Sequence, residues 1–501
     1  WAGSDDGLVH ISRDAGKNWK QITPNSLPEW TLISMIEPSA HDKATAYMAC
    51  TRYKLDENAP MLFKTDDYGE TWTDISGDIP EHDYTRVIRE DPNRKGLLYA
   101  GTETGVYVSF TDGREWQPLQ PNVSDRALPV VPIHDMVIKN DDLVVATHGR
   151  SFWIMDDLTQ IQQLPDNLQD QDVCLFKPRT THRLMPPFRL RAAGPGKNYQ
   201  LGLGSSAAAF SESKKDTGEI TRRVWDGGQN PPAGVMIFYW IKEELEGELT
   251  LQILDSNDKL IKRFSSIRSD ESDESKELIL SSESGTNRFV WDMRYPDAVM
   301  VPEDKATQDA LTGPLAPPGL YKAVLTYDEY SQTQDFEILK DPRVVSSQED
   351  LITQFELLIK LRDSLSNAHK TVNDIRNLKT QVSEWVKRAE GTSVAETVSS
   401  NGSSVITKLE SVENEIVQVE FEGARDMLNL PPKLNQKFVE LINFIAAADY
   451  APPKQAYEAS EDFNGRLEPI MQSYDTILEK DLSEFENLIA ELEIPSVTVR
   501  S

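Results

Sequence analysis

The sequence predicts a multidomain, mainly β chain that ends in helices: blades of a partial β-propeller over residues 1–165, a β-sandwich over 170–342, and an antiparallel α-helical bundle over 347–495. Three observations predict it. A Ser/Thr-x-Asp-x-Gly-x-x-Trp pattern recurs in the first third of the chain. Alternating apolar segments there repeat about every 45–50 residues, the length of a four-stranded blade. Past residue 347 the apolar spacing changes to three, four and seven, the period of amphipathic helices.

The pattern has two full copies, Ser12, Asp14, Gly16, Trp19 and Thr65, Asp67, Gly69, Trp72. A third keeps Ser109, Gly113 and Trp116 but carries Thr111 in place of the Asp. A hydroxyl and a carboxylate that bond nearby N–H groups, a Gly free to take positive φ, and a Trp to pack beneath predict a self-stapled hairpin corner. Apolar alternation marks strands at 32–37, 44–51, 85–89, 96–102, 133–139 and 142–147. Residues 1–8 mirror residues 99–106, so the reading starts inside a blade and reaches about three and a half blades by residue 160, where closed propellers have four to eight. The expectation is that further blades lie upstream in a longer chain or come from a partner chain. Residues 143–157 read as a closing hairpin whose turn carries His148 and Arg150.

Beyond residue 165 the repeat stops. Strand-like alternation spaced by Pro/Gly turns predicts the sandwich, with loops at 179–193 and 202–213 and an acidic Ser-rich linker at 269–276. In the last region, Leu351, Phe355, Leu358, Leu365, Val372, Ile375, Val382 and Val386 predict one long helix. A Ser/Gly stretch at 391–404 should break it, with further helices over 405–429, over 433–448 and from 452 onward, an up-and-down bundle.

At 501 residues the chain exceeds a single core, and its net charge of −30 argues against nucleic acid or an anionic membrane as partner. No apolar run approaches the ~20 residues of a membrane span. Cys50 and Cys174 are too few for a metal cluster or a disulfide framework; free buried thiols are expected, one tertiary disulfide being the alternative. Asn122-Val123-Ser124 and Asn401-Gly402-Ser403 are glycosylation sequons.

Chemistry is sparse. HExxH, GxSxG and phosphate-loop patterns are missing from the sequence, and His369, mid-helix, has no Glu-x-x-His partner. No metal site or cofactor is expected, and no catalytic residue is identified. A glycosidase needs two carboxylates flanking its bond; Asp135, Asp141 and Asp142 are candidates near strand ends. Of the arginines 52, 86, 89, 94 and 150, no spacing singles out a carboxylate-clamping triad. His134, Asp135, His148 and Arg150 form the sharpest cluster, suited to an anionic or sugar ligand at a channel mouth. The competing reading has Arg150 pairing with Asp156 or Asp157 across its hairpin.

The Ser/Thr-x-Asp-x-Gly-x-x-Trp corners resemble the Asp-box (BNR) repeats of sialidases, sortilin-type receptors and related propeller proteins. Gly285–Trp291 with Asp292, followed by the Pro-Pro-Gly-Leu-Tyr run at 317–321, resembles the immunoglobulin-like module named after flagellar hook-capping proteins. The whole series is similar to large exported bacterial proteins of the sortilin-like kind. That resemblance implies structural roles for the Asp-box residues at blade corners, an extracytoplasmic location, and a non-catalytic propeller that binds a peptide, protein or glycan. Its alternatives are a sialidase-like or other glycan-cleaving hydrolase, and a subunit of a cell-surface or secretion assembly.

Overall fold

Four successive antiparallel meanders fill the first 155 residues. They consist of β1 (Ala2–Gly3), β2 (Val9–Ile11) and β3 (Lys20–Gln21); β4 (Leu32–Pro38), β5 (Ala46–Arg52), β6 (Glu57–Thr65) and β7 (Thr73–Asp74); β8 (Thr85–Glu90), β9 (Leu98–Thr102), β10 (Val106–Ser109) and β11 (Gln117–Pro118); and β12 (Ile133–Lys139), β13 (Asp142–Thr147) and β14 (Phe152–Met155). Within each sheet, sequence order is spatial order, the pattern of propeller blades. The computed structural model describes all residues except 120–127, 166, 185–193, 202–206, 226, 269–277, 308–309, 424–425 and 493–501; the first sequon and the acidic linker lie outside the described residues. The chain divides into two units. The first is Trp1–Arg179 with Phe238–Glu243 and Ser284–Thr286; the second is Thr180–Ile237, Glu244–Glu283 and Asn287–Ser501.

In the first unit, the second strand of each four-stranded sheet is buried on both faces: β9 entirely, and β5 up to Arg52. Sheets stacked face to face demand this, and it explains why these strands read as near-continuous apolar runs. The stacking is tight enough to dictate Gly101, where a Cβ would lie 2.5 Å from Val87 Cγ1 and 2.7 Å from Ile133 Cγ2. Strand β8 lies beside both β4 and β12.

The corners are built by their own side chains. In the second, the Gly69 N–H donates to Thr65 Oγ1 at 2.9 Å and the Thr71 N–H to Asp67 Oδ1 at 2.9 Å. Ser12 and Asp14 accept equivalently from Gly16 and Asn18. In the third, Thr111 Oγ1 accepts from the Glu115 N–H at 2.9 Å, so a hydroxyl does the work of the missing carboxylate. Each corner takes two consecutive left-handed residues, with φ of 62° at Tyr68 and 85° at Gly69 in the second. Trp72 and Trp116 donate their indole N–H to the Ile22 and Ile75 carbonyls of the preceding sheet, at 2.8 and 2.7 Å. After the fourth sheet come the single helical turn α1 (Thr159–Gln162) and the strand Val173–Leu175, which pairs with residues 239–241. Cys50 and Cys174 are free and buried, and burial pushes both thiols up.

The second unit contains a five-stranded sheet in the order Thr181–Arg183, Tyr330–Lys340, Gly319–Tyr327, Leu249–Asp255, Leu260–Ser265, its first pair parallel and the rest antiparallel. A separate meander joins Gly196–Leu201, Ala207–Lys214 and Ile220–Val224. The loop expected at 202–213 is therefore a strand from Ala207 onward, anchored by the buried Phe210. The helices are α2 (Gln348–Ala389), α3 (Ala395–Ile416), α4 (Leu434–Ala446), α5 (Lys454–Thr476) and α6 (Ser483–Glu491), around a core that includes Leu361, Leu365, Ile375, Leu409 and Phe438. Helix α2 opens with a reciprocal capping box between Ser347 and Asp350.

Residues 395–404 are helical, against the expected break at 391–404. The reason is tertiary. Gly402 sits where a Cβ would come within 2.5 Å of Val386 Cγ2, so close helix packing requires the residue whose propensity argued for a break. The stretch 296–302 forms no strand among the described residues, and α2 satisfies four of its carbonyls: Pro296 by Arg362, Val299 by His369, Met300 by Asn373 and Pro302 by Arg376.

Candidate functional site

Three inner strands of the first unit carry a register shift at the same place. It falls between Ile33 and Met35 in β4, between Thr85 and Val87 in β8, and between Ile133 and Asp135 in β12. The bulged residues are Ser34, Arg86 and His134. A bulge puts one residue outside the ladder and re-aims its side chain, and bulges concentrate beside functional sites. The partnering strands end alongside these bulges, which brings Glu103, just past β9, and His148, just past β13, to the same end of the sheets.

The side chains there interlock. Arg86 donates from Nη2 to Glu103 Oε2 at 2.6 Å and to the Tyr84 hydroxyl at 2.8 Å. Its guanidinium carbon lies 4.9 Å from the Tyr84 ring centroid and 5.3 Å from that of Tyr53. The two tyrosines stack at 5.0 Å and 9°, with Tyr53 36% exposed. His148 Nδ1 is 3.2 Å from His134 Nε2. Burial, then the Arg86 charge and His148, hold the His134 imidazole below its ordinary value, favouring its neutral form. The Tyr84 hydroxyl is pushed up by burial and by its bond to Glu103.

Next along the inner strands, Arg89 bridges β4 and β12. It donates to Glu37 Oε2 at 2.7 Å, to Asp135 Oδ1 at 2.8 Å and to the Met136 carbonyl at 2.5 Å. Burial raises the Glu37 carboxyl despite the adjacent guanidinium. One arginine bonded to both carboxylates fixes them in place and offsets one of their two negative charges, which favours positioning over acid–base chemistry.

Of the residues singled out in the sequence, His134 and His148 meet, and Asp135 joins Glu37 through Arg89. Arg150 sits exposed on its turn, its N–H bonded to Thr147 Oγ1 at 3.1 Å. Of the two partners the sequence offered Arg150, Asp156 or Asp157, Asp157 instead has Arg179 at 3.7 Å, and Arg179 also lies 2.7 Å from Asp142. Asp141 accepts from Asn93 at 2.7 Å. The arginines do not converge on one point: Arg52 pairs with Glu57, Arg86 with Glu103 and Arg89 with Glu37, and Arg94 donates to the Ile161 and Leu164 carbonyls. Sequence reading missed Ser34, Tyr53, Tyr84 and Glu103 and left Arg86 among unplaced arginines. The available signal was positional, since residues 34, 86 and 134 occupy the same place in three repeats. Among the described residues, no cluster of three His, Cys, Asp or Glu is placed to hold a metal.

The fourth sheet leaves an apolar row uncovered: Val137 pairs toward Val144 and Ile154, with Val137 49%, Phe152 71% and Ile154 58% exposed.

No family model and no curated protein matches the chain. Solved structures that it is similar to include YCF48 bound to D1 peptide, at 15% identity over 47% of this chain and 73% of that one, with a TM-score of 0.23. They also include the GH74 enzyme of Niastella koreensis, at 12% identity over 48% and 33% with a TM-score of 0.24. A third is the GH74 xyloglucanase from Xanthomonas campestris, at 13% over 67% and 52% with a TM-score of 0.24. The chain spans about a third to a half of the length of these GH74 structures. TM-scores this low bear on neither fold nor function.

Proposed function

We propose that the first unit is the binding part of an exported, sortilin-like Asp-box propeller protein and that it holds its ligand without cleaving it. The observation that carries this reading is the repeated bulge, which delivers Ser34, Arg86 and His134 to one end of the inner strands beside the stacked Tyr53 and Tyr84. An exposed aromatic face, a guanidinium and a neutral imidazole suit an extended peptide or protein segment. A glycan is the competing ligand, since sugars also stack on such faces. Further blades, from a longer chain or a partner, cover the apolar row at Val137, Phe152 and Ile154. The immunoglobulin-like sandwich and helical bundle position the module or dock it to another component, and the protein acts outside the cytoplasm.

The test is a peptide and glycan array probed with the full chain and with Tyr53→Ala and Arg86→Gln. Saturable peptide binding that both variants weaken by about tenfold or more supports the reading. Binding confined to glycans moves the ligand class. Glycan hydrolysis that Glu37→Gln or Asp135→Asn abolishes replaces the binding protein with a hydrolase.

A further inference from the structure

An antiparallel meander brings alternate connections to one end of its sheet. The turns at 4–8 and 53–56 therefore emerge beside the bulged Ser34 and Arg86, together with the segments 27–31 and 80–84 that lead into β4 and β8. Three of these segments are tied together. The Trp30 N–H donates to the Asp6 carbonyl at 3.1 Å. Arg52, at the foot of the 53–56 turn, donates to the Glu29 carbonyl and pairs with Glu57 at 2.7 Å. On that base Leu8, Trp30, Tyr53 and Leu55 are exposed, Trp30 at 68%. Trp30 takes φ of 63°, in the left-handed region that bulky residues avoid. The next residue, Thr31, is fully buried, and its hydroxyl donates to the Pro28 carbonyl at 2.6 Å. An anchored turn thus holds the indole out in water. Blades stack through their sheet faces, so a further blade leaves these strand-end connections uncovered.

The charges there select the partner. Asp5, Glu29, Asp56 and Glu81 are exposed, and among the described residues their carboxylates have neither a hydrogen bond nor an ion pair. Carboxylates at the opposite end of the sheets are occupied: Asp14 and Asp67 accept from N–H groups, and Asp112 and Glu70 pair with Lys64 and Lys20. Against the four acids stands the exposed Lys54, while Glu103 offsets the charge of Arg86. Exposed aromatic faces beside unpaired carboxylates match arginine and lysine, which stack on the ring and bond to the acid.

We infer that this end of the first unit docks a cationic, apolar protein segment, with one basic side chain on the Trp30 indole and others against Glu29 and Asp56. A partner of this charge presupposes the peptide or protein ligand proposed above.

Fluorescence anisotropy tests it, using the full chain and three labelled peptides of equal length that alternate leucine with arginine, with serine or with glutamate. The arginine peptide is expected to saturate, the serine peptide to bind about tenfold more weakly, and the glutamate peptide not to bind. Trp30→Ala, and Glu29→Gln combined with Asp56→Asn, should each weaken the arginine peptide by about tenfold. Trp30→Phe should keep most of the affinity. Glu356→Gln, which removes an exposed acid of α2 in the second unit, should change it by less than about twofold. If Trp30→Ala loses the parent's cooperative unfolding, the Glu29 and Asp56 variant decides, since those carboxylates bond to nothing among the described residues. Equal binding of the serine peptide overturns the cationic partner and leaves the peptide-binding reading standing. Absence of arginine-peptide binding also overturns it, and the peptide array then judges the broader reading alone. Binding that neither site variant changes, or that Glu356→Gln weakens as much, reduces it to attraction by the net charge of −30 and overturns it too. Self-association that Trp30→Ala abolishes gives the surface to a second copy of the chain instead.

Discussion

The two units differ in the polar contacts that stand out in each, although both also hold the other kind, as Arg89 with Glu37 shows in the first. In the first, the characteristic polar contacts are local: each corner ties a hydroxyl or carboxylate to an N–H four residues on, as Thr65 does to Gly69 and Asp67 to Thr71. In the second, they span the chain. Arg183 meets Asp449 across 266 positions, and Asn435 meets Asp304 across 131. Local contacts form wherever the short pattern occurs, so they repeat and tolerate exchange, as Thr111 shows by standing in for Asp. Long-range contacts exist once, and each depends on the whole unit being assembled.

Breaking the second kind should have the largest effect. Arg183→Met leaves Asp449 buried without its cation and is expected to destabilise the second unit by about 3–5 kcal/mol, read as a shifted urea midpoint. A neutral outcome would show that this pair resembles a solvated surface contact and erase the contrast. Within the first unit, the corner tryptophans sharpen it. Trp116 is 6% exposed and bonded to the preceding sheet, whereas Trp19 is 52% exposed. Trp116→Ala should cost about 3 kcal/mol or more, and Trp19→Ala about 0.5 kcal/mol or less. Equal costs would mean that the corner itself, rather than its docking on a neighbouring sheet, needs the ring.

The smallest effect is titration of His369. Its Nδ1 bonds the Val299 carbonyl at 2.6 Å, its Nε2 lies 3.3 Å from the Asn435 amide, and burial holds it below 6.5 in spite of Asp304. The unfolded chain therefore takes up the proton first. Stability is full above about pH 6.5 and falls as pH drops below that value toward the folded-state value. Unfolding midpoints measured from pH 8 to pH 5, in the parent and in His369→Gln, check the sign. The parent should lose stability more steeply; identical slopes would place the proton elsewhere.

Much of the first unit was legible because its rules are short-range. The strand read over 142–147 is β13, residues 133–139 are β12, and the corner pattern names the atoms that staple it. The candidate site was legible only in part. His134 and His148 are fourteen residues apart and suggest each other, but Tyr53 reaches Tyr84 only because neighbouring sheets stack. Residues 34, 86 and 134 share a role that no single stretch displays. Helix α2 was visible in its spacing, whereas the start of α3 was not, since Gly402 is helical for a reason supplied by Val386.

By itself the sequence determined what depends on neighbours within a few residues: strand and helix periods, the stapled corners, the acidic balance and the scarcity of cysteine. Only the tertiary structure decided which bulges align, where Arg89 bridges two acids, why Gly402 is helical, and how Arg183 comes to meet Asp449. The physical reason is separation along the chain. A hydrogen bond across four residues is encoded in its own motif, while one across hundreds is specified by everything that packs between.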